Sequence, residues 1–542
     1  MFRICYYKFK LRINYFLLLI ILIPSLFSCQ TKKKFDKPNI IFIMTDDHAA
    51  KATGMYGGRL AELNPTPNLD ALGHDGIIFQ NCFVTNSICT PSRASIITGQ
   101  YSKTNGVLDL WGDLPVSKQY LPEEMRKLGY ETAMIGKWHL HNEPVAFDYY
   151  KVLHSQGTYF DPEFKVKGKG EWPNNFVRYK GHSTDVITDQ VIDWLNGREK
   201  KSKPFFLMYH FKAPHDMFEF NPRYNDYLEN AFIPEPESLY KQPNWGSEAT
   251  RGRNDSLVHI IGSSISKRHT NRSYVDIFKT NNATTEREAT SRAYQEYLKR
   301  YLRCVKGVDD NLGRFFEYLK EHNLWENTII IYTSDQGMML GEHDFEDKRW
   351  MYDESIHMPF IAHCPQKIGK GSKTDMIINN TDFAPTIIEL AGGEAPDYMQ
   401  GKSFKKVLEG GAEPEDWRKS TYYRYWMHMI HHDIPAHFGI RSKDYKLIFF
   451  YGRYHNLEKE GTLSMYWNDE NNSNKVLPTP VAWEFYDLKK DPEEVNNVYK
   501  DTEYQQIIQE MKKELLETRR KLNEEDAHFP HLQKIIDSHW ND

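Results

Sequence analysis

What this chain of 542 residues lacks narrows its class first. It has no basic excess: 69 Lys and Arg against 74 Asp and Glu leave a formal net charge of −5. With no nucleic-acid-binding motif either, a DNA or RNA partner is excluded. It is poor in cysteine, with six residues, two of them (Cys5 and Cys29) near the N-terminus. The other four, Cys82, Cys89, Cys304 and Cys364, are too scattered for a disulfide framework or a Cys-x-x-Cys zinc site. It has one long apolar run, Tyr15 to Phe27, and no second of spanning length, which excludes a bundle of membrane-spanning helices. Internal repeats and low-complexity tracts are absent.

What is present begins with an address. Arg3, Lys8, Lys10 and Arg12 precede the apolar run, the plan of a secretory signal peptide over residues 1–28. The run ends Leu26-Phe27-Ser28-Cys29, which resembles a lipobox with Cys29 as the lipidated residue. Residues 29–37 then read as a polar tether. The expectation is an exported protein, in the periplasm or at the outer membrane as a lipoprotein, touching membrane only through that anchor.

The body of the chain alternates short apolar runs with helical patterns. Strands are expected at 39–44, 130–136, 204–211, 327–333 and 358–363, and helices near 66–75, 92–100, 119–128, 184–197, 287–320 and 382–391. Strands that are nearly all apolar imply a sheet covered on both faces, an α/β layer fold. The polar stretch 212–285 reads as insertions over one side of the sheet. Beyond about residue 410, short aromatic and β-branched segments at 419–427, 436–441, 445–451 and 482–487 predict a small antiparallel sheet, followed by a charged helix near 502–522.

In open α/β sheets, ligands bind beyond the carboxyl ends of the strands. Asp46 and Asp47 follow the first strand, Lys137 and His139 the second, His215 the third, and Asp335 and Gln336 the fourth. Three carboxylates and an amide oxygen make a hard site, suited to Ca²⁺ over zinc. Lys137 and His139, two apart, share a face if that segment is extended. Pro91 suits a first helical turn and places Cys89 just before it, where free N–H groups favour an anion, with Arg93 one turn on. A free low-pKa thiol or a plain buried cysteine would fit this position as well.

The segment Cys89-Thr90-Pro91-Ser92-Arg93, followed by Ala94-Ser95-Ile96-Ile97-Thr98-Gly99, resembles the C-x-P-S-R signature of the type I sulfatases. Other landmarks of that family stand in order: Asp46-Asp47, Thr66-Pro67-Asn68-Leu69-Asp70, Gly136-Lys137-Trp138-His139, Ala213-Pro214-His215, Ser334-Asp335-Gln336-Gly337, Lys348, and Phe485-Tyr486-Asp487-Leu488. Gln336 departs from the Asn or His of many relatives.

The resemblance implies an alkaline phosphatase-like fold, a large mixed sheet between helices, with a catalytic domain at 38–410 and a C-terminal subdomain at 411–542. It implies that a maturation enzyme oxidises Cys89 to formylglycine (3-oxoalanine). It also implies a Ca²⁺ held by Asp46, Asp47, Asp335, Gln336 and the modified residue 89. Arg93 and Lys137 would stabilise the nucleophile and the sulfate oxygens, His139 would serve as base, and His215 and Lys348 would contact sulfate and protonate the leaving oxygen.

The expected substrate is a sulfated carbohydrate, with an algal polysaccharide such as ulvan as first choice. The alternatives are a host glycosaminoglycan or mucin, as for an N-acetylglucosamine-6-sulfatase, and a formylglycine-dependent phosphodiester or phosphonate hydrolase. A binding protein with a degenerate site is disfavoured, because no key ionisable residue is missing. Tyr423, Arg424, Trp426, His428, His431, His432, His437 and Arg441 could stack on sugars or simply pack the C-terminal sheet, and the residues leave both open.

Overall fold

Seven-residue runs such as Asn39–Thr45 (NIIFIMT) and Thr328–Ser334 (TIIIYTS) are buried almost end to end. Side chains alternate faces along a strand, so such runs are stable only where both faces of the sheet are covered. In the computed structural model, which describes residues 37–241, 244–268, 272–280, 282–460 and 478–542, they form the centre of a large mixed sheet. The expected signal peptide, Cys29 and nearly all of the tether lie outside the described residues.

The sheet comprises β1 (Asn39–Thr45), β2 (Ile77–Phe83), β3 (Glu131–Gly136), β4 (Tyr149–Leu153), β5 (Glu163–Val166), β6 (Phe176–Arg178), β7 (Phe205–His210), β8 (Thr328–Ser334), β9 (Phe360–His363) and β10 (Ser372–Asn379). Their spatial order is β10-β2-β9-β8-β1-β7-β3-β4-β5-β6. The four central strands β8, β1, β7 and β3 are mutually parallel, so their carboxyl ends share one edge. Antiparallel pairings of β9 and of β5 and β6 make the sheet mixed.

Helices close both faces. On one side lies the 36-residue helix Glu286–Glu321, N-capped by Thr285, whose hydroxyl accepts from the Glu288 N–H. Its Tyr294, Tyr297, Tyr301, Val305, Leu312 and Phe315 recur at helical spacing and join Ile41, Ile43, Leu207 and Ile330 in one core. The opposite face, with Phe42, Met134, Met208 and Ile331, is covered by Cys89–Thr98, Tyr120–Lys127 and Phe383–Leu390.

A second sheet of four antiparallel strands, β11 (Ser420–Tyr425), β12 (His437–Ser442), β13 (Tyr445–Phe450) and β14 (Ala482–Asp487), stands in sequence order. Its period-two pattern feeds two cores. Tyr423, Ile448, Phe450 and Tyr486 join the main core. Tyr422, Leu447, Phe449 and Phe485 face the helices Gln505–Lys521 and Pro530–His539. The residues from Pro38 to Asp542 form one compact unit.

All five strands and six helices expected for the main layer are present, within a few residues. The strands β2, β4, β5, β6 and β10 and the last helix were not anticipated. β2 interrupts its apolar run with Gln80 and Asn81, and β10 begins with the polar Ser372–Asp375, so neither shows a continuous buried pattern. The described residues of 212–285 fold as turns and single-turn helices such as Glu248–Arg251 and Tyr274–Ile277.

Candidate active site

The shared edge of β8, β1, β7 and β3 is where the expected residues meet. Asp46 and Asp47 leave β1, Asp335 and Gln336 leave β8, Lys137 and His139 leave β3, and His215 lies beyond β7. Close approach of the strand ends constrains the backbone. Gly136 has φ +108°, and a Cβ there would lie 1.7 Å from the His210 carbonyl oxygen, so only glycine fits before Lys137.

Carboxylate oxygens of Asp46, Asp47 and Asp335 lie within 4.8 Å of one another, and all three residues are fully buried. Each is matched by a cation. Lys137 Nζ pairs with Asp46. Lys348 Nζ is 2.6 Å from Asp47 Oδ2. Arg93 places Nη2 2.8 Å from Asp335 Oδ2 and 3.6 Å from Asp46 Oδ1, while Nη1 donates to the Lys137 carbonyl at 2.6 Å. Burial raises the Asp46 carboxyl, but Lys137, His215, Arg93 and Lys348 together hold it well below the usual carboxylate range. Asp335 goes the other way: burial, with the charge of Asp46, pushes it up to about 8.

Cys89 faces this cluster. The helix Cys89–Thr98 begins at Cys89 itself, with Ile88 in extended geometry as its cap, so Cys89 stands in the first turn instead of before it. Cys89 Sγ lies 3.3 Å from Asp46 Oδ1, 3.3 Å from Gln336 Nε2 and 3.8 Å from Lys137 Nζ. Burial, reinforced by Asp46, pushes the thiol above its ordinary value despite Lys137 and Lys348. Of the two plain readings of Cys89, a low-pKa free thiol and a buried cysteine, the burial of the side chain favours the second.

The donor set fits a hard divalent cation. Three buried carboxylates converge, and the Gln336 side chain donates Nε2 to Asp47 Oδ1 at 2.6 Å while its buried Oε1 has no hydrogen-bond partner. Turning that amide over exchanges a donor for the oxygen a cation would take.

Lys348 is no surface charge; it is 3% exposed. His139 is buried, but the reasoning that gave it a common face with Lys137 is corrected. Its backbone is left-handed (φ +52°), so the segment is not extended there. Burial, then Lys137 and Arg93, holds its imidazole well below the ordinary value, hence neutral. His215 Nε2 faces Asp47 Oδ2 at 3.7 Å. Of the aromatic and histidine cluster after residue 422, Tyr423, Arg424, Trp426, His428, His432, His437 and Arg441 are buried and His431 is partly buried. Asp216 and Arg272, which join the site beside His215, were missed. The first is marked only by adjacency to His215, and the second comes from the non-periodic insertion.

Carboxylates and cations thus gather at the strand ends of an α/β sheet, opposite a helix that starts with a candidate nucleophile. The sequence pattern of the Sulfatase family matches residues 38–393, and that of the N-sulphoglucosamine sulphohydrolase C-terminal region matches 341–472 and 473–521. The chain belongs to the Sulfatase family.

An N-acetylglucosamine-6-O-sulfatase of Bacteroides thetaiotaomicron is 38% identical over 93% of this chain and 90% of its own. An ulvan-active sulfatase of Formosa agariphila is 28% identical over 73% of this chain and 71% of its own. A protein solved in complex with its substrate D-glucosamine-2-N,6-O-disulfate superposes with a TM-score of 0.76 at 38% identity, covering 90% of this chain and 99% of that one. The fold is thus alkaline phosphatase-like. The protein is a sulfatase, in a family that generally uses Ca²⁺ and formylglycine.

Proposed function

We propose that this enzyme removes the 6-O-sulfate from glucosamine or N-acetylglucosamine units of a glycosaminoglycan- or mucin-type glycan. The observation that carries the proposal is the 38% identity, over nearly the whole chain, to a relative named for that activity. The algal choice has support from ulvan-active relatives at 28% and 25% identity, which weighs less.

The site residues divide the work as follows. Asp46, Asp47, Asp335 and Gln336 would hold Ca²⁺, which when bound supplies Lewis-acid neutralisation of sulfate charge. Formylglycine made from Cys89 supplies a hydrated aldehyde, an oxygen nucleophile with a built-in means of release. Arg93 and Lys137 brace the acids and present positive charge to sulfate oxygens. His139, buried beyond the end of β3, would serve as the base. Lys348 and His215, both beside Asp47, would contact sulfate, with His215 Nε2 protonating the departing sugar oxygen.

Ion chromatography of sulfate released from N-acetylglucosamine-6-sulfate, glucosamine-2-N,6-O-disulfate and ulvan oligosaccharides tests the substrate. The 6-sulfated amino sugars should be turned over fastest, and faster release from ulvan fragments would return the assignment to algal glycans. Aryl phosphate mono- and diesters in the same panel test the phosphoester alternative. Cys89→Ala should abolish turnover with the fold intact, and active protein should carry an aldehyde at position 89 by mass spectrometry. Near-normal rates for that variant would remove Cys89 from the mechanism.

We further propose export and lipid anchoring at Cys29, supported by the basic and apolar pattern that precedes it. Palmitate labelling that is lost in Cys29→Ala is the expected result.

A further inference from the structure

His215 is not left to orient itself. Its Nδ1 lies 2.6 Å from Asp216 Oδ1 and 2.9 Å from the Asp216 carbonyl oxygen. Both partners are acceptors only, so Nδ1 carries a proton and is committed. The ring nitrogen left to meet the substrate is Nε2, which faces the acid cluster at 3.7 Å from Asp47 Oδ2. The second oxygen of Asp216 accepts from Arg272 Nη2 at 2.5 Å. Arg272 is held in turn: its Nε is 3.1 Å from Glu346 Oε1, and its Nη1 is 3.2 Å from His432 Nε2. His432 Nδ1 meets Ser263 Oγ at 2.9 Å. The chain of contacts thus runs from the insertion (Ser263, Arg272), through the segment beside Lys348 (Glu346) and the loop after β11 (His432), to a single imidazole.

We propose that Asp216 and Arg272 are positioning residues for proton delivery to the leaving group. Asp216 holds the Nδ1–H and sets the aim of His215, whose donating form carries a proton on both ring nitrogens, and Arg272 fixes Asp216. The inference rests on the reading of His215 as the leaving-group donor. In that step the sulfur–oxygen bond to the sugar breaks and its electron pair stays on the sugar oxygen. That oxygen takes the proton from His215 Nε2 and departs as an alcohol. Over the full turnover water supplies the oxygen added to sulfur and the proton that restores His215. A sugar alkoxide needs that proton badly, whereas a nitrophenolate hardly needs it. A salt bridge serving only the fold would not distinguish them.

The test measures kcat/KM for the holoenzyme on a series of aryl sulfates, from 4-nitrophenyl to phenyl, and on N-acetylglucosamine-6-sulfate. For Asp216→Asn the loss should grow along the series. It should be under about threefold for 4-nitrophenyl sulfate and roughly 10- to 100-fold for the sugar, within the range general acid catalysis spans. Arg272→Ala should steepen the same dependence by less, and Arg272→Lys should recover part of it. These two arginine variants carry the test if Asp216→Asn does not fold by circular dichroism. Equal losses on all substrates, or no loss on the sugar, would overturn the inference alone. Wild-type protein that releases sulfate from the aryl esters but from no sugar would overturn the substrate reading. A wild-type rate already falling steeply with leaving-group basicity would overturn the donor role of His215 and this inference with it.

Discussion

Asp335 sits between two environments. Without a cation, burial and the charge of Asp46 put its carboxyl at about 8, against an ordinary value of 3.8. A group raised in this way contributes stability that is complete below its unfolded value and is lost as pH rises through its folded value. Between about pH 4 and 8 the cation-free protein therefore grows less stable on account of Asp335, while a bound cation needs that carboxylate ionised and removes the penalty. Two outcomes follow for Ca²⁺. Binding at pH 7 should release protons, seen as a dependence of the calorimetric heat on buffer ionisation enthalpy. The thermal midpoint should fall on chelation with EGTA, with a gap that widens from pH 6 to pH 8. At a hundredfold excess of free Ca²⁺ over Kd the stabilisation is about 2.7 kcal/mol. A midpoint indifferent to EGTA across that range would remove the cation from this cluster.

At the scale of the element, β13 shows both what the sequence reveals and what it conceals. Its run Tyr445-Lys446-Leu447-Ile448-Phe449-Phe450 is legible as a strand, because aromatic and aliphatic residues fit a pleated surface. That Lys446 is fully buried is not legible. Its Nζ lies 2.7 Å from Asp353 Oδ1 and 2.6 Å from Glu494 Oε1, acids 93 and 48 residues away in the chain. The same division holds for the site. Strands β1, β3, β7 and β8 announce themselves as apolar runs, and each is followed within a few residues by its polar residues, so the acid cluster, Lys137 and the histidines could be located from the sequence, whereas Lys348 came only with the family resemblance. Arg272 reaches Asp216 across 56 residues of insertion with no periodic marker, so tertiary structure alone reveals it. Lys446→Met should leave the buried Glu494 carboxylate without its cation, while Asp353 keeps Arg441 at 2.7 Å, and should cost about 3–5 kcal/mol, measured by urea unfolding. A loss under about 1 kcal/mol would mean that Glu494 finds another partner or becomes protonated without strain.

At the scale of the whole molecule, the second sheet forms part of the wall that holds the nucleophile. The Tyr423 hydroxyl of β11 lies 2.7 Å from Ser87 Oγ and donates to the Arg349 carbonyl at 2.8 Å. The Arg424 N–H reaches the Thr85 carbonyl at 2.9 Å, and the Arg349 N–H donates to Ser87 Oγ at 3.1 Å. One strand thus clamps the segment entering Cys89 to the segment carrying Lys348. Phe450 and Tyr486 on β13 and β14 complete the same apolar core as Phe42 and Met208 of the large sheet. A boundary near residue 410 is a change of architecture, and the two sheets should not unfold separately. Heating should give one transition, coincident for near-ultraviolet circular dichroism and for loss of sulfate release. Tyr423→Phe removes the clamp but keeps the ring. It should cost about 1 kcal/mol of stability, and it should lower kcat by loosening residue 89 against Lys348. A chain ending at residue 410 should lose activity and the cooperative transition together, because part of a shared core would face water. A soluble, active 38–410 fragment would show instead that the nucleophile is held by the large sheet alone.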